Sequence, residues 1–263
     1  MTIAINALQL ILLGALTLFP PLLIIAVPYI FSKQTEEKLL HPMLGISAGI
    51  LLGLVFFDIL PESNDLTSDL KINPIYFSIA VLTGFLVLTM IERYMINKGI
   101  THGHDADGLK IKPFGTLGVS ALVVHGFMDG FVIPISLSAS TTLGLIVTIA
   151  MVIHQIPDSF AAMSMSLAAG YTKKQTAKYV CFTALDTPFG ILIGVCALLG
   201  SNAVGFGSIL VLLSLGFSAG TFIFVSAADL IPELQHSSKS MSVILFILLG
   251  FVIIFGLTQL LPA

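Results

Sequence analysis

The chain has 263 residues, of which 56% are hydrophobic and 10% are charged, and its mean hydropathy is +1.05. This composition is typical of one polytopic membrane domain and excludes a soluble globule with a sizeable aqueous part. We therefore expect the lipid bilayer as a partner. The formal net charge is −3 and there is no basic cluster, so nothing indicates a nucleic-acid partner.

Eight apolar runs are long enough to cross a bilayer, which takes about 20 helical residues. In chain order they lie at roughly 5–31, 40–61, 74–96, 115–136, 141–169, 175–199, 206–232 and 240–261. The sequence therefore predicts an all-α membrane protein with eight transmembrane helices. No positive region precedes the first run and no A-x-A-like cleavage site follows it, so we interpret it as a retained helix rather than a signal peptide.

The basic residues of the connecting loops predict the orientation of the chain. Assigning the loops alternately to the two sides places ten of the eleven Lys and Arg residues on one side. The positive-inside rule makes that side cytoplasmic. Both termini are then extracytoplasmic, and the expected location is the cytoplasmic (inner) membrane.

A sequence repeat joins the second and seventh predicted helices. The segments Leu44–Gly49 and Asp58–Glu62 are matched by Leu215–Gly220 and Asp229–Glu233 at a constant offset of 171 residues. The second and seventh helices are five positions apart in chain order, an odd number, so the two copies cross the membrane in opposite directions. That is the pattern of an inverted repeat, from which many secondary transporters build two alternately open states.

The repeat predicts an arrangement of three, two and three helices in a single transporter domain, 1–263. The repeats cover about 1–97 and 175–263, and they flank central helices at 115–170 that follow a cytoplasmic loop at 98–113. We expect the functional site in the two central helices.

Those central helices each carry a histidine four residues before an aspartate, His125 with Asp129 and His154 with Asp158. Four residues is about one helical turn, so each pair shares a helix face. Ionisable side chains at membrane depth usually face a bundle interior and mark an ion or proton path. Two imidazoles and two carboxylates suit zinc or another first-row dication. We expect the metal as a substrate, with no prosthetic group.

Further carboxylates extend this pattern. Asp186, in the sixth predicted helix, either completes the metal shell or lies just outside it. Asp58 and Asp229 occupy matching repeat positions near predicted helix ends, where they could concentrate cations as entrance and exit ligands. Glu62 and Glu233 follow one turn later. Ordinary interfacial capping is the alternative for these four residues, and we prefer it for the two glutamates.

The loop at 98–113 contains His102 and His104 among acidic residues. Such a His-rich tract could bind metal weakly. A solvated polar loop explains the same residues equally well, so both interpretations stay open.

Taken together, these segments resemble the ZIP family of divalent-metal transporters over essentially the whole chain. The residues that carry the resemblance are Ser47–Glu62, Ser218–Leu234 and the two His-x-x-x-Asp boxes. The resemblance implies an eight-helix transporter with both termini outside. It also implies metal movement into the cytoplasm through a site between the fourth and fifth helices, in agreement with the orientation given by the loop charges.

The chain departs from the family pattern at two positions. Gly126 stands where many members have an asparagine ligand, and Gln155 follows His154 where others have an acidic residue. The fifth helix is thus closer to the form of a bacterial branch. Gly126 offers no side-chain ligand and Gln155 only a neutral one, so we expect one principal metal rather than two. Zinc is the leading substrate, and Fe²⁺, Mn²⁺, Co²⁺ and Cd²⁺ are alternatives.

Two other function classes are compatible with parts of this pattern. A proton-coupled carrier of organic solutes could use the His/Asp pairs as a proton relay. The other class is an intramembrane metalloenzyme, because the segment from His154 to Asp158 superficially resembles the H-E-x-x-H motif. That motif would need a general base in place of Gln155, a second histidine in place of Asp158, and no proline in the helix. A homodimer stays open as a further partner.

Overall fold

The computed structural model describes residues 7–30, 33–98, 113–139, 141–200, 204–237 and 241–260, and all regular structure in them is helical. Ten α-helices follow one another along the chain. They are α1 (Ala7–Ile30), α2 (Lys33–Leu54), α3 (Leu60–Leu70), α4 (Ile75–Asn97), α5 (Pro113–Ala139), α6 (Thr141–Ala168), α7 (Lys173–Gly200), α8 (Val204–Ile223), α9 (Ile231–Ser237) and α10 (Ser242–Leu260).

The second and seventh predicted helices are each one long helix that contains a π-helical segment. We call them the first rod (Lys33–Leu70) and the second rod (Val204–Ser237). Val55–Ile59 joins α2 to α3, and Phe224–Leu230 joins α8 to α9. Each π turn ends with a hydrogen bond that spans five residues, from Leu60 N–H to the Val55 carbonyl and from Ile231 N–H to the Ser226 carbonyl. The two bonds are 171 residues apart at both ends. The structure thus repeats the same backbone irregularity at the offset of the sequence repeat.

A proline follows each π segment and gives it a physical cause. Pro61 and Pro232 have no N–H to donate to the carbonyl one turn earlier. The backbone relieves this loss by widening for one turn, and single π turns of this kind are frequent at functional sites.

The rods correct one prediction. Asp58 and Asp229 do not lie near helix ends, because the helices continue to Leu70 and Ser237. The apolar run at 40–61 ended earlier than its helix since α3 is rich in polar residues, most of them exposed, although Ser63 and Thr67 are buried. Length of hydrophobic sequence therefore underestimated the rods.

Glycines set the closest helix contacts. A Cβ added at Gly49 would overlap the α10 backbone at Ile247, and one added at Gly220 would overlap the α4 backbone at Val81. The α2–α10 and α8–α4 pairs therefore pack backbone to backbone. Gly49 and Gly220 are also 171 residues apart, so the two repeats use the same packing device.

The central helix of the described bundle is α6. It packs against α1, α2, α5 and α7, and its half that follows His154 is almost entirely buried. On its neighbour α5, Gly130 lies so close to the α7 carbonyl of Thr187 that a Cβ would overlap it. The His/Asp pairs of predicted helices four and five are thus buried inside the protein.

Seven described segments are long and apolar enough to cross a membrane: Ile11–Ile30, Lys38–Asp69, Ile75–Asn97, Gly115–Ser138, Lys173–Leu198, Val211–Gln235 and Ser242–Gln259. The chain is a polytopic helical membrane protein. Helix α6 is not among these seven described segments. The predicted class, a polytopic helical membrane protein, is therefore confirmed. The eight spans and their three, two and three arrangement stay predictions.

Candidate metal site

Helix α5 presents His125 and Asp129 on one buried face, as their spacing predicted. His125 Nε2 lies 3.6 Å from Asp129 Oδ2, and the side chains are only 4% and 7% exposed. The ring of Phe222, from α8, packs edge-on against the imidazole with the centroids 4.9 Å apart. An apolar ring therefore covers one side of the histidine, while its Nε2 faces Asp129.

Helix α6 contributes the remaining donors. One ligand atom each from His125, Asp129 and Asp158 lie within 4.8 Å of one another, and all three residues are buried. One nitrogen and two carboxylate oxygens at this separation can hold a dication. His154 is buried one turn earlier on α6, but it does not belong to this closest set.

His154 is directed instead toward the α2–α3 rod. Its Nε2 lies 3.8 Å from Asp58 Oδ1, and the Asp58 side chain is 27% exposed. The π turn at Val55–Ile59 contains Asp58 and so bears directly on the centre of the bundle. The structure thus places Asp58 beside the candidate site rather than at a distant entrance.

Several buried polar atoms at this site have no hydrogen-bond partner among the described residues. They are His125 Nδ1, His154 Nε2, Gln155 Oε1 and Asp158 Oδ1. Burying such atoms without a partner is costly, and buried polar groups in proteins are nearly always paired. These donors and acceptors converge from two helices. A cation with its own water molecules would satisfy them.

Asp186 and Gln155 belong to a neighbouring network centred on Thr187. The Thr187 backbone N–H and hydroxyl donate to Asp186 Oδ1 over 2.5 Å and 3.1 Å, and Gln155 Nε2 donates to the Thr187 hydroxyl. Asp186 lies over Gly126, where an added Cβ would be 2.6 Å from both carboxylate oxygens. The carboxylate therefore occupies the space that a side chain at position 126 would need.

The other sequence-predicted acids fall at different distances from the centre. Glu62 is partly buried and interacts electrostatically with both Asp58 and Asp129. Asp229 is partly buried in the second π segment near Glu92 of α4, and its Oδ2 has no hydrogen-bond partner among the described residues. Glu233 is also partly buried, in α9. His102 and His104 lie outside the described residues.

Sequence reasoning missed two residues. Thr187 holds Asp186 in place and binds Gln155, although its only signal in the sequence is its position between Asp186 and Pro188. Glu92 lies in the apolar run 74–96, and an ionisable residue in such a run is itself a sign of function. Its proximity to Asp229 could not be inferred, because it depends on how α4 packs against the second rod.

Comparison with known proteins identifies the family. The sequence model described as "ZIP Zinc transporter" matches residues 96–258, which is more than half of the chain and includes both His-x-x-x-Asp boxes. The chain belongs to the ZIP zinc transporter family. It is therefore classed as a membrane transport protein rather than an enzyme, and the metalloenzyme alternative is set aside.

Three zinc transporters to which the chain is similar come from eukaryotes. The chain is 26% identical to zinc transporter YKE4 of Saccharomyces cerevisiae over 254 residues, covering 89% of this chain and 71% of the yeast protein. It is 30% identical to zinc transporter ZIP10 of Mus musculus over 142 residues and 28% identical to zinc transporter ZIP9-B of Xenopus laevis over 175 residues. It covers 16% of the mouse protein and 55% of the frog protein. The assignment to a bacterial branch stays a prediction.

Proposed function

We propose that this ZIP-family protein imports Zn²⁺, or a similar first-row dication, into the cytoplasm by alternating access. The substrate would bind between α5 and α6, with His125, Asp129, His154 and Asp158 as core ligands. The observation that carries the proposal is the buried group of His125, Asp129 and Asp158, whose ligand atoms lie within 4.8 Å of one another.

The charge around this group favours a cation. Asp58, Asp129 and Asp158 converge here, and within the described part of the chain the ion pairs at these carboxylates are made by histidine alone. Carboxylates gathered at membrane depth repel one another unless a proton or a metal lies between them. A dication with a mixed nitrogen and oxygen shell removes that repulsion.

We further propose one principal metal. Asp186 fills the space beside Gly126 and is held there by Thr187. Gln155 is tied to the same threonine through its amide nitrogen, although its oxygen is unpaired among the described residues. Asp186 and Gln155 then lie beside the central ligands, where they could complete or alter the coordination of that one metal.

The proposed architecture completes the transport path. It has eight spans, with repeats 1–97 and 175–263 around central helices 115–170, and with both termini outside an inner (cytoplasmic) membrane. In this orientation Asp58 and Glu62 lie toward the outer face, and Asp229 and Glu233 toward the cytoplasmic face. The matching π segments of the two rods support such a repeat.

Uptake of radiolabelled zinc into proteoliposomes tests the function. We expect saturable uptake by the purified protein and its near loss in Asp129→Asn and Asp158→Asn, while Asp69→Asn, which removes an exposed carboxylate on α3, transports normally. Wild-type uptake rates in the two site variants, at equal reconstitution, would refute the assignment.

Competition in the same assay defines the substrate. Unlabelled Zn²⁺, Fe²⁺, Mn²⁺, Co²⁺ and Cd²⁺ should compete to different extents, and the ranking gives selectivity. The solute-carrier alternative instead predicts that organic solutes, and not metals, are taken up with protons.

A further inference from the structure

The two His-x-x-x-Asp segments have the same spacing, yet they are paired differently. His125 forms an ion pair with Asp129 on its own helix at 3.6 Å. His154 pairs with Asp58 of the first rod at 3.8 Å, and its own Asp158 keeps an oxygen without a hydrogen-bond partner among the described residues. The centre of the bundle is therefore asymmetric although its sequence is nearly symmetric.

The same asymmetry separates Asp58 from Asp229. Both aspartates lie in π segments, three residues before a proline, at the repeat offset of 171. Asp58 Oδ1 lies 3.8 Å from Nε2 of the central His154, whereas Asp229 has an oxygen without a hydrogen-bond partner among the described residues. Within the described residues Asp229 makes no ion pair with either histidine. Two equivalent carboxylates thus occupy two different positions.

In transporters built from inverted repeats, exchanging the conformations of the two repeats gives the second state of the cycle. The symmetry that relates Asp58 to Asp229 also relates the α6 box to the α5 box. We propose that the histidines exchange carboxylate partners between the two states. In the second state Asp229 contacts His125, Asp58 withdraws, and His154 pairs with Asp158. This inference rests on the alternating-access function proposed above.

The exchange assigns Asp58 and Asp229 a specific role. Each would act as a ligand from its own half of the protein in one state only, so the bound dication keeps a carboxylate from a rod in both states. The π segments suit this role because a helix that already contains one wide turn can shift its side chains locally without breaking.

Mercury bridging between engineered cysteine pairs tests the proposal. The pairs are Asp58→Cys with His154→Cys, and Asp229→Cys with His125→Cys, in protein with the exposed native cysteines replaced (Cys181→Ser, Cys196→Ser). In the matched controls the cysteine in the rod is placed one residue earlier, as Phe57→Cys or Ala228→Cys. Both of these positions are exposed, and they are also 171 residues apart. Loss of thiol labelling after Hg²⁺ addition measures the bridging rate.

We expect the 58/154 pair to bridge quickly, because it is in contact in this structure. The 229/125 pair should bridge about 10- to 1,000-fold more slowly, since a minor conformation is typically about 0.1–10% populated, and yet clearly faster than the 228/125 control. A 229/125 rate equal to that control would overturn the exchange, as would a 58/154 rate equal to the 57/154 control.

A gain-of-binding variant gives a second measurement that does not remove the central ligands. Asp229→His should strengthen metal binding in the second state, so zinc should bind tighter while the uptake rate falls. Wild-type affinity and wild-type uptake in Asp229→His would contradict the proposal, even if the cysteine pairs did not insert into the membrane.

Zinc uptake by the Cys181→Ser/Cys196→Ser protein separates the two proposals. No uptake by this protein or by wild type would refute the transport function itself. Normal uptake together with no specific 229/125 bridging would refute the partner exchange alone.

Discussion

Replacing Gly126 with alanine tests whether Asp186 really occupies the space beside it. The new methyl group would meet both Asp186 carboxylate oxygens at 2.6 Å and Cγ at 2.7 Å, well inside van der Waals contact. Asp186 cannot swing away freely, because Thr187 donates two hydrogen bonds to Oδ1. We therefore expect the variant to lose part of this network.

The expected cost follows from the two effects that the methyl group brings. Overpacking of a well-packed interior typically costs about 1–3 kcal/mol. Alanine also gains up to about 1 kcal/mol over glycine in a helix, which would mask part of this loss. Gly14→Ala and Gly256→Ala supply the matched controls, since a Cβ at either position meets nothing within 4 Å. Gly126→Ala should be about 1–3 kcal/mol less stable than these controls.

Detergent-titrated unfolding, followed by circular dichroism, measures these differences in the free energy of unfolding. The decisive comparison is the double variant Gly126→Ala/Asp186→Ala, in which the carboxylate no longer meets the methyl group. The loss in free energy of unfolding in the double variant should be smaller than the summed losses of the two single variants by about 0.5–3 kcal/mol. Additive effects, or a Gly126→Ala protein as stable as the Gly14→Ala control, would show that Asp186 does not lie over Gly126.

Three further predictions concern the same region. Zinc uptake should fall as the external pH is lowered from about 8 to about 5, since protons compete with the metal for imidazole and carboxylate ligands, and a flat profile in a pH-stepped uptake assay would contradict histidine ligation. Thr187→Val should weaken zinc binding, measured by calorimetry, because it leaves Gln155 and Asp186 each short of a partner at about 1–3 kcal/mol, whereas Thr187→Ser should bind as wild type does. Gly130→Val should prevent α5 from packing on α7, where even a Cβ overlaps the Thr187 carbonyl, and should lower the yield of monodisperse protein in size-exclusion chromatography, whereas Gly256→Val should not.

The sequence was sufficient to predict the helical class and the proximity of His125 to Asp129. Helical spacing alone places His125 beside Asp129, and the structure has them 3.6 Å apart on a buried face. The constant offset of 171 between the repeat segments anticipated two matching rods. Their π segments could not be read from it, because a proline in a membrane helix is compatible with a kink, a wide turn or a helix end.

The sequence could not predict the neighbours of each candidate ligand, because these depend on which helices pack together. The boxes on α5 and α6 have the same spacing and would be assigned the same role. In the structure Phe222 covers one face of His125, while Asp58 lies beside His154. The two motifs have the same spacing but different neighbours, because each histidine faces a different half of the repeat. Asp58 lies 3.8 Å from His154, whereas Asp229, its equivalent in the repeat, is paired with neither histidine among the described residues. This difference depends on how the helices pack, which the sequence repeat does not show.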